Sequence, residues 1–115
     1  MKNANDFFGT HNGSENLYRH SFTNFIYTEG VHSLAQDCKA YWLIDLIISH
    51  QVDDVVNKEP FQVWDLKRVA NDSFTIVATD GNYNKVTSQE IPFSDFPYDL
   101  ATLWLVDSCI ILPKE

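Results

Sequence analysis

Three oxygen-bearing side chains stand at alternate positions in TDGNYNK, residues 79–85: Asp80, Asn82 and Asn84. A calcium loop of the EF-hand type opens this way, with oxygen ligands at its positions 1, 3 and 5, a glycine at 6 and a bidentate glutamate at 12. Counted from Asp80, position 6 is Lys85, position 12 is Ile91, and Glu90 falls one place early. A cation thus stands where the sharp turn needs glycine. Asp80-Gly81 between β-branched runs is a hairpin signal instead, because glycine supplies the positive φ of a tight turn. The expectation is a turn carrying Tyr83 exposed at its tip, with no metal and no other cofactor.

The remaining candidates for chemistry are isolated. His11, His20, His32 and His50 never fall in HxH, HExxH or CxxC company, so no spacing supports zinc. Cys38 follows the apolar rhythm of a helix and Cys109 sits in SCIIL, a core-like strand; both read as buried thiols rather than nucleophiles. Four glycines leave no phosphate-cradling loop, and GxSxG is absent. Asp45 interrupts the apolar run YWLIDLII and has the position of a buried general base. By helical phase, however, it shares the less apolar side with Tyr41 and Ser49, where a carboxylate stays solvated.

The densest unusual stretch is EIPFSDFPYDLATLW, 90–104. Two prolines stiffen it, and Phe93, Phe96 and Tyr98 alternate with Asp95 and Asp99. Rigid aromatics beside acids suit a recognition surface; the simpler alternative is a crossover loop whose aromatics plug the core edge. The candidate binding residues are therefore Phe93, Asp95, Phe96, Tyr98 and Asp99, with Tyr83 from the hairpin tip.

The elements that must position these residues read as follows. Residues 1–16, rich in Asn, Gly, Ser and Thr, form a flexible N-terminal arm, anchored by Phe7 and Phe8. Residues 17–115 form one domain. NFIYT reads as a strand, Thr28 as a helix N-cap and Glu29 as a first-turn carboxylate. A helical period runs from Val31 to Gln51, with a phase slip near Lys39 that predicts two short helices or one kinked helix. Five β-rich runs follow, FQVWDLKRV, SFTIVAT, KVTSQEIPF, TLWLV and CIIL, joined by short turns that favour antiparallel pairing. The fold expected is α+β: an antiparallel sheet of five or six strands with a helical segment, about 29–51, packed on one face.

The formal net charge of −8 is spread evenly, with eight acids and four bases in each of 1–59 and 60–115. No basic stripe exists, so direct nucleic-acid binding is not expected. The start MKNANDFFGTHNG has no apolar core of a signal peptide, and no apolar run approaches the ~20 residues of a membrane span. The expected location is the cytoplasm, with no membrane partner.

The blocks LYRH, YTEGVHSLAQDCKAYWLIDLIISHQ, FQVWDLK, DGN and IPFSDFP resemble a domain-of-unknown-function family of small bacterial and mobile-element proteins. The resemblance spans roughly 17–113. It implies a single-domain, intracellular prokaryotic or phage protein and carries no activity, ligand or catalytic residue. The leading functional expectation is a non-enzymatic, acidic binding protein for a partner with a basic surface. One version is a mobile-element inhibitor of a host nucleic-acid-handling or defence complex. The alternatives are a small-molecule-binding or hydrolytic domain around Asp45, and a homo-oligomeric scaffold, such as a homodimer, joined through an edge strand.

Overall fold

The structure is a computed structural model that describes residues 2–8, 17–20 and 23–113. In chain order its elements are α1 (Ala4–Phe8), β1 (Leu17–Arg19), β2 (Ile26–Thr28), α2 (Glu29–Asp37), α3 (Tyr41–Ser49), a 3-10 turn (His50–Val52), α4 (Asp54–Asn57), β3 (Phe61–Ala70), β4 (Ser73–Thr79), β5 (Lys85–Ile91), β6 (Leu100–Val106) and β7 (Cys109–Ile111).

The helices start and stop for local reasons. The Thr28 hydroxyl accepts the Val31 N–H at 3.5 Å and Glu29 stands in the first turn, so α2 begins at a cap and a favourable charge. The phase slip resolves into two helices: Lys39 takes φ +53, a left-handed conformation that ends one helix, and α3 starts two residues later. Leu43, Ile44, Ile47 and Ile48 then face the sheet together with Val31, Leu34 and Ala35 of α2.

The strands order as β1-β2-β7-β6-β3-β4-β5. All neighbours are antiparallel except β2 and β7, which run parallel. Among the described residues the sheet therefore has seven strands, not five or six, and is mixed, not wholly antiparallel. The extra strand, β1, is three residues long, too short for a periodic signal. The parallel pair joins the two ends of the domain's sequence, a pairing that no turn announces.

Period-two alternation puts Gln62, Trp64 and Leu66 of β3, Phe74, Ile76 and Ala78 of β4, and Ala101, Leu103 and Leu105 of β6 on the buried side. Each of the four α-helices among the described residues contributes to that same core, through Ala4, the α2 and α3 residues above, and Val56. The helical segment thus packs on one face, as expected.

Lys2–Phe8 docks at β6. Asn3 bridges Leu100 in parallel, Asn5 Nδ2 donates to the Thr102 carbonyl at 2.8 Å, and the Thr102 N–H donates to Asn5 Oδ1 at 2.6 Å. Residues 9–16 of the arm, His11 among them, and the side chains of Phe7 and Phe8 lie outside the described residues.

Candidate functional site

The loop after β5 is fastened from below by a residue that carried no sequence signal, Arg68. Its guanidinium donates to Asp99 Oδ1 at 2.8 Å, to the Phe96 carbonyl at 2.8 Å, to the Tyr98 carbonyl at 3.3 Å and to the Asn71 carbonyl, and it lies over the Phe74 ring. Phe96 is 1% exposed and meets Phe74 edge-on. Tyr98 is half-buried against Phe96, and Asp99 also accepts the Lys2 N–H at 2.9 Å. That hydrogen bond first, then Arg68, holds the Asp99 carboxyl below its ordinary value. Asp95 is exposed, and Phe93 is 72% exposed. Of the aromatics in the loop, then, Phe96 and Tyr98 pack inward and Phe93 points to solvent.

Tyr83 stands at the other end of β5, 95% exposed with φ +67. The Asp80 carboxylate accepts from the N–H groups of Asn82 and Asn84 and from Asn84 Nδ2, which together hold its pKa low. The opening stretch is thus a hydrogen-bonded turn in which Asp80 organises the backbone. Among the described residues, no three His, Cys, Asp or Glu side chains converge as a metal site.

Asp45 does meet a histidine. Its Oδ1 lies 2.8 Å from His20 Nε2, and His20 Nδ1 lies 3.0 Å from Thr23 Oγ1. Carboxylate, imidazole and hydroxyl in that order are the parts of a nucleophilic relay. Two features argue for a fastener instead: the Asp45 side chain is 65% exposed, and Thr23 Oγ1 already accepts the Phe25 N–H at 3.2 Å, closing a local turn. Beside it Tyr18 stacks on His32 at 4.0 Å, with Tyr27 stacked behind and Tyr41 edge-on. Burial first, then Tyr41, Asp45 and Tyr18, pushes the Tyr27 phenol up. Neither thiol joins this group: Cys38 is buried, its pKa pushed to about 11 by burial and then by Asp37, and Cys109 lies across the sheet.

The least expected surface is the far side of the sheet. Alternation that buries Trp64 turns Phe61, Val63 and Asp65 outward; on the neighbours it turns out Val77 of β4, Trp104 and Val106 of β6, and Cys109 and Ile111 of β7. Register assembles these into rows: Phe61 beside Val106, and Val106 beside Cys109; then Val63 beside Trp104, and Trp104 beside Ile111. Trp104 and Phe61 pack edge-on, centroids 5.4 Å apart. Gly81 closes the patch at the hairpin: a Cβ there would come within 2.6 Å of the Phe61 ring, so only glycine lets the turn lean on it. Tyr83, two residues on in the same turn, stands exposed to solvent.

Further along the strands the same face becomes polar, with Asp65 accepting the Thr102 hydroxyl at 2.5 Å and Lys67 beside Thr75. Every helix adds to the opposite side, so among the described residues no helix covers this face. A one-sided antiparallel sheet normally alternates apolar-in and polar-out; here one half of the outer face is apolar too. Sequence alternation could have flagged it, since FQVW and TLWLV put bulky apolar residues at both phases.

The chain belongs to a family of unknown function, DUF6876, whose model matches residues 2–115. No curated protein and no solved structure matches it.

Proposed function

We propose that this domain is a non-enzymatic binding protein whose protein partner docks on the open half of the sheet, centred on Trp104, Val63 and Phe61, with Tyr83 at the margin. The observation that carries the reading is the row of apolar side chains on a face that no helix covers among the described residues, where a solvated sheet would present polar ones. Aromatic anchors ringed by polar groups are what interface centres are made of. Charge selects the partner. The chain carries −8, and Asp65 and Asp80 belong to or adjoin the face, so a partner with an apolar centre and a basic rim is favoured over a second acidic copy. A mobile-element inhibitor occupying a basic host surface is one form this takes.

The test uses tagged protein expressed in its native host, with captured partners quantified at low and high salt. Val63→Lys and Trp104→Ser should remove a salt-sensitive partner while leaving the melting temperature within a few degrees of the parent. Phe93→Ala, at the far end of β5, should retain it. A partner that survives both face variants, or that Phe93→Ala alone removes, places recognition elsewhere.

A further inference from the structure

A concavity lies on the helix side, at the end of the sheet where α3 gives way to the 3-10 turn. It is a cleft of about 520 Å³. Phe25, Ile48, Pro60 and Val52 supply its apolar wall. Val52 is 87% exposed at the rim, an apolar side chain left for something to cover. Glu59 and Asp107 supply the charge. The Phe61–Val106 pair puts those two carboxylates just beyond the ends of adjacent strands, and the left-handed φ values of Asp107 and Ser108 form the tight turn that holds the second one there.

The polar groups of this wall are not balanced. Both Gln51 Nε2 hydrogens are taken, by the Ile47 carbonyl at 3.0 Å and Gln62 Oε1 at 2.9 Å. Asn57 Nδ2 donates to the Gln51 carbonyl at 3.1 Å and to Asp54 Oδ1 at 3.5 Å. The Ser49 hydroxyl donates to the Leu46 carbonyl at 2.7 Å. Backbone carbonyls can only accept, so these amides cannot be flipped to present their N–H groups outward. The arrangement is rigid because Gln62, 1% exposed, locks it: Nε2 reaches the Val56 carbonyl and Gln51 Oε1, both at 2.9 Å, and Oε1 accepts the Trp64 indole N–H at 2.9 Å. What remains for a ligand is mainly acceptors: the Asn57 Oδ1 and the carboxylates of Glu59 and Asp107, neither of which has an ion-pair partner among the described residues, beside the Ser108 hydroxyl, which can donate or accept. Among the described residues, no Lys, Arg or His lines the cleft.

We infer that this cleft binds an organic cation: an alkylammonium or guanidinium head placed between Glu59 and Asp107, with an apolar body against Phe25, Ile48 and Val52. Donor-only heads match a wall whose charges are two carboxylates and whose other ligand-facing polar groups can accept, and the aliphatic stem of such a cation covers apolar surface while its head stays polar. The same chemistry arises from a free amine or from a Lys or Arg side chain of another chain. This site is independent of the open sheet face and stands or falls without it.

The experiment is an amide-resolved NMR titration of the labelled full chain with n-pentylammonium chloride, using pentanol and pentanoate as length-matched neutral and anionic controls. Pentylammonium should give saturable shifts at Val52, Asn57 and Asp107. Pentanol should bind at least tenfold more weakly and pentanoate not at all. Glu59→Gln and Asp107→Asn, near-isosteric changes at a half-exposed and an exposed position, should each weaken pentylammonium at least threefold. N-acetyl-lysine amide distinguishes the two sources: tighter binding than pentylammonium assigns a side chain, weaker binding a free amine. The inference is overturned if pentanoate binds as well as the amine, if the shifts map elsewhere or do not saturate, or if both neutral variants keep the parent affinity.

Discussion

One strand carries both halves of this molecule's logic. On β3, Trp64 points into the helices, fully buried with its indole N–H satisfied by Gln62; Val63 and Phe61, its neighbours one and three positions back, point the other way into an apolar patch that nothing described covers. On β6 the same division separates Leu103 from Trp104. The chemistry of the two faces is similar and their surroundings are not. The inner face stabilises the fold; the outer face is where the proposed partner would dock.

The largest effect should separate the two tryptophans. Trp64→Ala opens a cavity in the core and leaves Gln62 without its donor, so it should cost about 3–5 kcal/mol of stability. Trp104→Ala should cost only about 1 kcal/mol, the scale of a half-buried site. Urea unfolding of the two variants decides the matter. Equal losses would mean that the outer face is core.

A smaller effect comes from Gln62, which is polar on the inner face. Gln62→Ala strands the Trp64 indole N–H and the Gln51 amide, an expected cost of about 1–3 kcal/mol. The outward counterpart Thr75→Ala should fall within about 0.5 kcal/mol of the parent.

Smaller again is a pH effect at the loop. Because the Lys2 N–H and Arg68 hold the folded Asp99 carboxyl low, its contribution is fully present above the ordinary carboxylate pKa of about 3.9 and is lost as pH falls through the lower folded value. Asp99→Asn should flatten that acid limb of the melting-temperature profile and leave its shape near neutrality unchanged. An unaltered acid limb would remove Asp99 from the account.

Much of the architecture was legible in the residues. The helical period, its slip at Lys39, the Thr28 cap and the Asp80-Gly81 turn are local signals and appear where local chemistry places them. The parallel β2–β7 pair was not legible, because two three-residue strands far apart in sequence advertise nothing. Nor was the direction of the 93–99 aromatics. Spacing shows that Phe93, Phe96 and Tyr98 alternate with acids, but the inward turn of Phe96 follows from Arg68, which grips its carbonyl from another strand. The His20–Asp45 contact and the cleft are likewise products of tertiary approach between segments whose spacing carries no motif.

The open face can be footprinted directly, because it contains one of the two cysteines. Cys109 lies on it beside Val106, whereas Cys38 is buried on the helix side with a thiol pKa near 11. In the free protein at pH 8, iodoacetamide should modify Cys109 and leave Cys38 intact while the chain stays folded, since the thiolate is the reactive form. In the captured complex the Cys109 rate should fall at least tenfold, with the Cys38 rate unchanged. Alkylation of Cys109 at the same rate in the complex as in the free protein would contradict docking on the open face.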